Sequence, residues 1–228
     1  MDKKFLIAGA TGKTGRIIVQ MVLDRGDRPR ILVRDQDLAQ NLFGDQVDVY
    51  VGDVRQPESL LPAVSGVDIL ISAIGTRTPV GKNCPKRVDY EGVINLIQAA
   101  RESGVQRFIL ISSISVTQPN HPMNCFGRIL EWKLKGENAL RESGLSYAII
   151  RPGGLVDSSE GEKLWVLDQG DKILGTISRT ALAETCLCAA DYPHNLHITF
   201  EIIESEEYGI RRCGEIFSNL NMDPLPST

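Results

Sequence analysis

A chain of 228 residues, 42% hydrophobic and 24% charged, is long enough for one domain with a sizeable core, or for one domain with a small appendage. Its net charge of −4 gives no reason to expect nucleic acid or an anionic membrane as the main partner. No apolar run approaches ~18 residues, and the opening MDKKFLIAGATG enters a strand with no room for a signal peptide. A soluble cytoplasmic protein without stable membrane insertion is therefore expected, although a processed precursor would read the same way.

Taken in chain order, KFLIAG (4–9) is an apolar run that ends in glycine, and TGRIIVQMVLDRG (14–26) has helical spacing. Strands follow at 28–34, 47–52 and 67–75. YEGVINLIQAARESG (90–104) reads as a helix and VQRFILISS (105–113) as a strand. FGRILEWKLKGENAL (126–140) is an amphipathic helix with Phe126, Ile129, Leu130 and Leu140 on one face. Lys133 and Glu137 fall inside that same face, an i,i+4 spacing that suits an ion pair. LSYAIIRPG (145–153) is the next strand.

After residue 153 the rhythm weakens. Residues 163–178 read as a short hairpin or loop, 179–191 as a helix and 195–203 as a further strand. Strands that are apolar throughout, alternating with helices, indicate a parallel sheet covered on both faces. The expected fold is therefore α/β, a doubly wound parallel sheet of order 3-2-1-4-5-6 with room for a seventh strand. One domain spans 1–204, with 153–180 as a minimal substrate-side region. The polar tail, 205–228, ends in MDPLPST, where disorder is expected.

The five cysteines (Cys84, Cys125, Cys186, Cys188 and Cys213) are odd in number and irregular in spacing. Cys186 and Cys188, two apart on a helix, point in different directions. Reduced thiols are expected, rather than a disulfide framework or a metal site.

IAGATGKTGR carries Gly9, Gly12 and Gly15 between the first strand and the first helix. That position brings backbone amides and the positive end of a helix dipole up to a pyrophosphate, so the reading is a Rossmann NAD(P)-binding loop with Thr11, Lys13 and Thr14 beside the glycines. The second strand ends ILVRD, with Arg34 where NAD-specific sites usually place an acid. A guanidinium there suits a 2′-phosphate, Lys13 and Arg16 add positive charge, and NADP(H) is expected over NAD(H). Asp35 reads as the N-cap of the next helix, and Lys13 is equally readable as a solvated loop lysine.

GATGKTG, LVRD, GDV (52–54), VDYEGVINLIQAA (88–100), ILISSISV (109–116), WKLKGENALRESGLSYAIIRPGGL (132–155) and ISRTALAE (177–184) together resemble the atypical short-chain dehydrogenase/reductases. The resemblance runs from about residue 4 to 203 and is strongest to the compact NAD(P)-binding branch of plants and cyanobacteria, including Tic62-like, NmrA-like and flavin-reductase-like proteins. It implies that Asp53 and the Val54 backbone recognise the adenine amino group. Ala73, Ile74 and Gly75 would line the adenosine side, and Pro152, Gly153 and Gly154 would pack on the nicotinamide. Lys133 would bond the nicotinamide ribose, and Ser112 or Ser113 would hold the place of a catalytic serine. As alternatives, Asp53 reads as a turn residue capping the next helix, and the serines as a polar strand end.

Active members of the wider family use Y-x-x-x-K, the tyrosine transferring a proton and the lysine lowering its pKa. Here Ile129 stands four residues before Lys133, and Glu131 four before Lys135. Three functions stay open. The first is a low-specificity NADPH-dependent reductase of quinone- or flavin-like acceptors. The second is a non-catalytic NADP(H)-binding sensor or assembly factor with a protein partner, and the third is a nucleotide-sugar-type epimerase or dehydratase. His121 is a candidate proton source or a loop residue without a role, while His194 and His197 read as structural or exposed. Oligomeric state is not specified.

Overall fold

The structure, a computed structural model, describes residues 3–76, 78–157, 163–210 and 213–224. Strand β1 (Phe5–Ala8) leads into α1 (Lys13–Asp24), followed by β2 (Arg30–Val33), α2 (Gln36–Phe43) and β3 (Asp48–Val51). A short α3 (Leu61–Val64) precedes β4 (Ile69–Ser72). A π-helical turn (Lys86–Glu91) runs directly into α4 (Gly92–Glu102), and β5 (Arg107–Ile111), α5 (Ile129–Arg141) and β6 (Tyr147–Pro152) complete the regular alternation. Beyond it come β7 (Gly154–Val156), β8 (Leu164–Asp168), β9 (Thr176–Ser178), α6 (Arg179–Asp191), β10 (His197–Ser205) and α7 (Cys213–Ile216).

The main sheet has the order β3-β2-β1-β4-β5-β6-β10-β8. Its first six positions are the predicted order, and β10 is the seventh strand, parallel to β6. Only β8, at the edge, runs antiparallel. Strands such as FLIA and ILIS are buried at every position because helices cover both faces. Alternation along each strand then sorts the side chains. Ile7, Ile71, Ile109 and Ile150 pack toward α1 and α6, and Leu6, Leu70, Phe108 and Ile149 pack toward α3, α4 and α5. The strand order reverses between β1 and β4, which opens a crevice at their C-terminal ends.

Several details differ from the sequence reading. The predicted helix at 126–140 begins at Ile129, because Gly127 (φ 60°) and Arg128 (φ 59°) adopt left-handed backbone that no helix continues. Phe126, placed on the apolar face, is 37% exposed as a result. Residues 163–178 do not form a hairpin. β8 pairs with β10, whereas β9 pairs in parallel with β7 as a separate two-stranded sheet.

The tail is anchored. Ile216 and Phe217 are buried in the α1–α6 core, and Asp223 accepts hydrogen bonds from Tyr147 Oη (2.9 Å) and Thr199 Oγ1 (2.6 Å). Burial and the neighbouring Asp223 carboxylate push the Tyr147 phenol well above the usual tyrosine range. The last four residues of the segment expected to be disordered lie outside the described residues. The expectation of reduced thiols is corrected for one pair. Cys188 on α6 and Cys213 on α7 are joined as a disulfide with Cα atoms 5.2 Å apart, brought together by docking of the tail, while Cys84, Cys125 and Cys186 are free. Among the described residues no helix is long and apolar enough to cross a membrane.

Candidate functional site

The glycine loop is built for close approach. The Gly12 amide donates to the Gly9 carbonyl at 3.0 Å, which closes the turn. A Cβ at Gly15 would fall on that same carbonyl, so any side chain there would push α1 away from β1. Gly12 caps α1 without any side-chain hydrogen bond, leaving the first-turn amides around Lys13 and Thr14 aimed outward. Arg16 Nε donates to the Thr11 carbonyl at 3.0 Å and fixes the loop.

The loop opens onto a cleft of about 480 Å³ over the C-terminal ends of β1, β2 and β4. Gly9, Thr11 and Gly12 line it together with Asp53, Val54, Ala73, Ile74 and Gly75, so the predicted adenosine-side residues do converge. Three guanidinium groups, from Arg16, Arg34 and Arg55, border the same cleft. Arg34 Nη1 donates to Asn83 Oδ1 at 3.2 Å, which holds the side chain across the opening. Asp35 caps α2 by accepting from the Leu38 amide at 2.9 Å, the role read from the sequence. Asp53 meets Arg55 through both carboxylate oxygens and also accepts from the Arg55 amide at 3.0 Å. The Arg55 hydrogen bonds hold its carboxyl below the usual carboxylate range, outweighing partial burial. Lys13 does not line the cleft. Its ammonium pairs with Asp157 at 2.9 Å on the exposed surface, where Arg179 joins the same carboxylate.

At the other end of the crevice, Lys133 is mostly shielded, with 15% of its side chain exposed. Its partner is not Glu137, as the i,i+4 spacing predicts, but Asp89 on the π-helical turn, with Nζ to Oδ1 at 2.8 Å. Glu137 is fully buried and satisfied elsewhere. It receives Ser112 Oγ at 2.5 Å, Arg151 at 3.0 and 2.7 Å, and Arg141 at 2.9 Å. Arg151 in turn donates to Glu201 at 3.1 Å, and Glu201 accepts from the Asp171 amide at 2.8 Å. Asp171 then accepts from Ser115 and Thr117 in the loop after β5.

A buried chain of charges therefore runs from β5 through α5 and β6 to β10. Burial favours neutral Arg151, but Glu137 and Glu201 outweigh it and raise its pKa, while burial raises the Glu201 carboxyl against the pull of Arg151.

Ser112, Lys133, Asp89 and Ile74 border one small void of about 10 Å³. Ser113 is half-buried beside it in sequence, and Pro152 and Gly153 are buried at the end of β6 with Gly154 exposed. His121 is spent on its own loop, where Nδ1 accepts from the Met123 amide at 3.2 Å. Ile129 is buried, so nothing at that position replaces the tyrosine hydroxyl.

Comparison with known proteins agrees with this geometry. A family profile described as NAD(P)H-binding matches residues 9–193. The chain belongs to the NAD(P)H-binding family. It is 35% identical to an uncharacterized chloroplastic protein of Arabidopsis thaliana over 81% of its own length and 64% of that relative. Identity to sanguinarine reductase of Eschscholzia californica is 29%, covering 86% of this chain and 87% of the reductase. Protein TIC 62 of Arabidopsis thaliana is 32% identical over 82% of this chain, which spans only 33% of that longer protein. Among solved structures, an anaerobillin reductase from Escherichia coli O157:H7 superposes with a TM-score of 0.77 at 25% identity, covering 90% of this chain and 98% of that one.

The sequence reading of this NAD(P)H-binding chain missed Asp89, Arg151, Glu201 and Asp171. A signal was present for two of them. Arg151 interrupts the apolar YAIIRP and Glu201 interrupts ITFEII, and in the sheet they are register partners on adjacent strands. Charges inside two otherwise apolar strands indicate a buried pair. Asp89 lies inside VDYEG, just ahead of the predicted helix, where nothing in the spacing marks it.

Proposed function

We propose that this chain is a low-specificity reductase that prefers NADPH and passes its hydride to quinone- or flavin-like acceptors. The observation that carries it is the pairing of an arginine-lined cleft with a shielded lysine at the far end of one crevice, with buried Ile129 instead of a tyrosine four residues before that lysine. The cradle of Gly9, Gly12 and Gly15 fits a dinucleotide, since a side chain at Gly15 would fill it. Bound there, the nicotinamide cofactor supplies the hydride.

The chain's own residues bind and orient. Arg34, with Arg16 and Arg55 nearby, offers fixed donors to a 2′-phosphate. Asp53 and Val54 face the adenine, Lys133 holds the nicotinamide ribose, and Pro152 to Gly154 close the nicotinamide side. Ser112 is an unpromising proton donor because its hydroxyl is committed to Glu137. The proton for the acceptor therefore comes from water, which suits acceptors that are easily reduced. Two of the similar proteins are named as reductases, which supports this class of reaction.

The same committed Ser112 favours a second reading, an NADP(H)-binding sensor or assembly factor that acts through a protein partner. One assay separates them. NADPH absorbance is followed with a panel of quinones, flavins and dichlorophenolindophenol. Turnover that is lost in Lys133→Ala is the expected result. Micromolar NADPH binding without turnover on any acceptor rejects the reductase and selects the sensor.

A further inference from the structure

We infer that Asp89 is the positioning residue of Lys133, an anionic clamp that holds the ammonium at the crevice where a Y-x-x-x-K site would have a tyrosine beside it. The inference deepens the cofactor reading above and rests on it.

Asp89 reaches its place through the π-helical turn Lys86–Glu91. A wider turn carries an extra residue, which rotates the side chains after it relative to a continuous α-helix, and such turns recur at functional sites. Here the turn directs Asp89 inward, and its side chain is fully buried. α5 comes close enough to use it because Gly136 faces the turn. A Cβ at Gly136 would sit 2.9 Å from the Asp89 carbonyl oxygen. Lys133 lies one turn before Gly136 on the same face of α5, so the close helix approach delivers its ammonium to the carboxylate.

The two carboxylate oxygens have separate duties. Oδ1 forms an ion pair with the Lys133 ammonium at 2.8 Å and accepts no hydrogen bond among the described residues. Oδ2 accepts from the Thr76 amide at 3.2 Å. Thr76 directly follows Ala73, Ile74 and Gly75, which line the dinucleotide cleft. Asp89 thus ties the lysine to the strand exit over which the cofactor passes.

Glu137 does not compete for the ammonium, because Ser112, Arg141 and Arg151 engage it. A fully buried carboxylate demands a cation, so the lysine is held rather than left to sample solvent. An ammonium has three N–H donors. The ion pair with Asp89 fixes the nitrogen and leaves N–H donors for a pair of ribose hydroxyls.

The test is calorimetric binding of NADPH and of adenosine 2′,5′-bisphosphate, which lacks the nicotinamide ribose, to wild type, Asp89→Asn, Lys133→Met and the double variant. Asparagine keeps the size of Asp89 and an acceptor for the Thr76 amide while removing the charge. The double variant removes both charges at once, so it does not leave a buried ion unpaired. Asp89→Asn and Lys133→Met should each weaken NADPH by roughly tenfold or more, the loss of a hydrogen bond to a charged group. The double variant should bind NADPH no worse than Lys133→Met alone, and all four proteins should bind adenosine 2′,5′-bisphosphate equally.

Wild-type NADPH affinity in Asp89→Asn overturns the inference, as does an Asp89→Asn loss that adds in full to that of Lys133→Met. Parallel loss of the bisphosphate overturns it too, by exposing a merely structural role. Wild type that binds neither compound rejects the cofactor reading itself, a result separate from any of these.

Discussion

The two ends of the crevice hold similar chemistry in opposite ways. At the adenosine end Arg34 stands at an open cleft of about 480 Å³ with its guanidinium donating to Asn83, while Asp53 and Arg55 beside it are paired and largely shielded. At the Lys133 end the carboxylates are buried and ion-paired, and Glu137 engages Ser112, Arg141 and Arg151 together. Exposed charges are screened and cheap to repartner, which suits a site that must accept a phosphate and release it. Buried pairs are costly to break, which suits a frame that fixes where a lysine and a serine stand. The first arrangement suits selection of a ligand and the second suits fixed geometry.

The largest test of that contrast is Arg151→Met. It leaves Glu137 and Glu201 buried with too little positive charge, and unfolding in urea should show a loss of about 3–5 kcal/mol. A loss below ~1 kcal/mol would mean that the buried chain is not a frame. Gly15→Ala probes the other end. The added methyl collides with the Gly9 carbonyl, so stability should fall by roughly 1–3 kcal/mol as the loop shifts, and NADPH affinity should fall with it.

The smallest effect concerns Asp53. Arg55 lowers its folded pKa, so its contribution to stability is present above the unfolded value and is lost as pH falls through the folded one. Wild type and Asp53→Asn should therefore differ most near neutral pH and converge in acid. Divergence toward low pH would contradict the assignment.

The difference between the two ends also explains what could be read in advance. The glycine loop, Arg34 and the Asp35 cap are local. Each follows from a few neighbouring residues and a turn, and the six-strand order follows from apolar strands alternating with helices. The Lys133 end depends on contacts between distant segments. Asp89 faces α5 only because a π-helical turn changes the register of the helix before α4, which no periodicity announces. Glu137 sits at i,i+4 from Lys133, yet Arg151 on β6 lies close enough to take it, and a guanidinium satisfies both oxygens where an ammonium offers a single point of charge. Cys188 and Cys213 meet because the tail lies against α6. Left-handed backbone at Gly127 and Arg128 likewise shortened the helix that the apolar stripe predicted.

We propose that the open, arginine-lined end chooses the cofactor. Parallel calorimetric titration of NADPH and NADH into wild type and Arg34→Ala tests it most directly. Wild type should favour NADPH, and Arg34→Ala should cut that preference by about tenfold or more, because one charge-assisted contact to the 2′-phosphate is gone. An NADPH-to-NADH affinity ratio that is the same in both proteins would contradict the account.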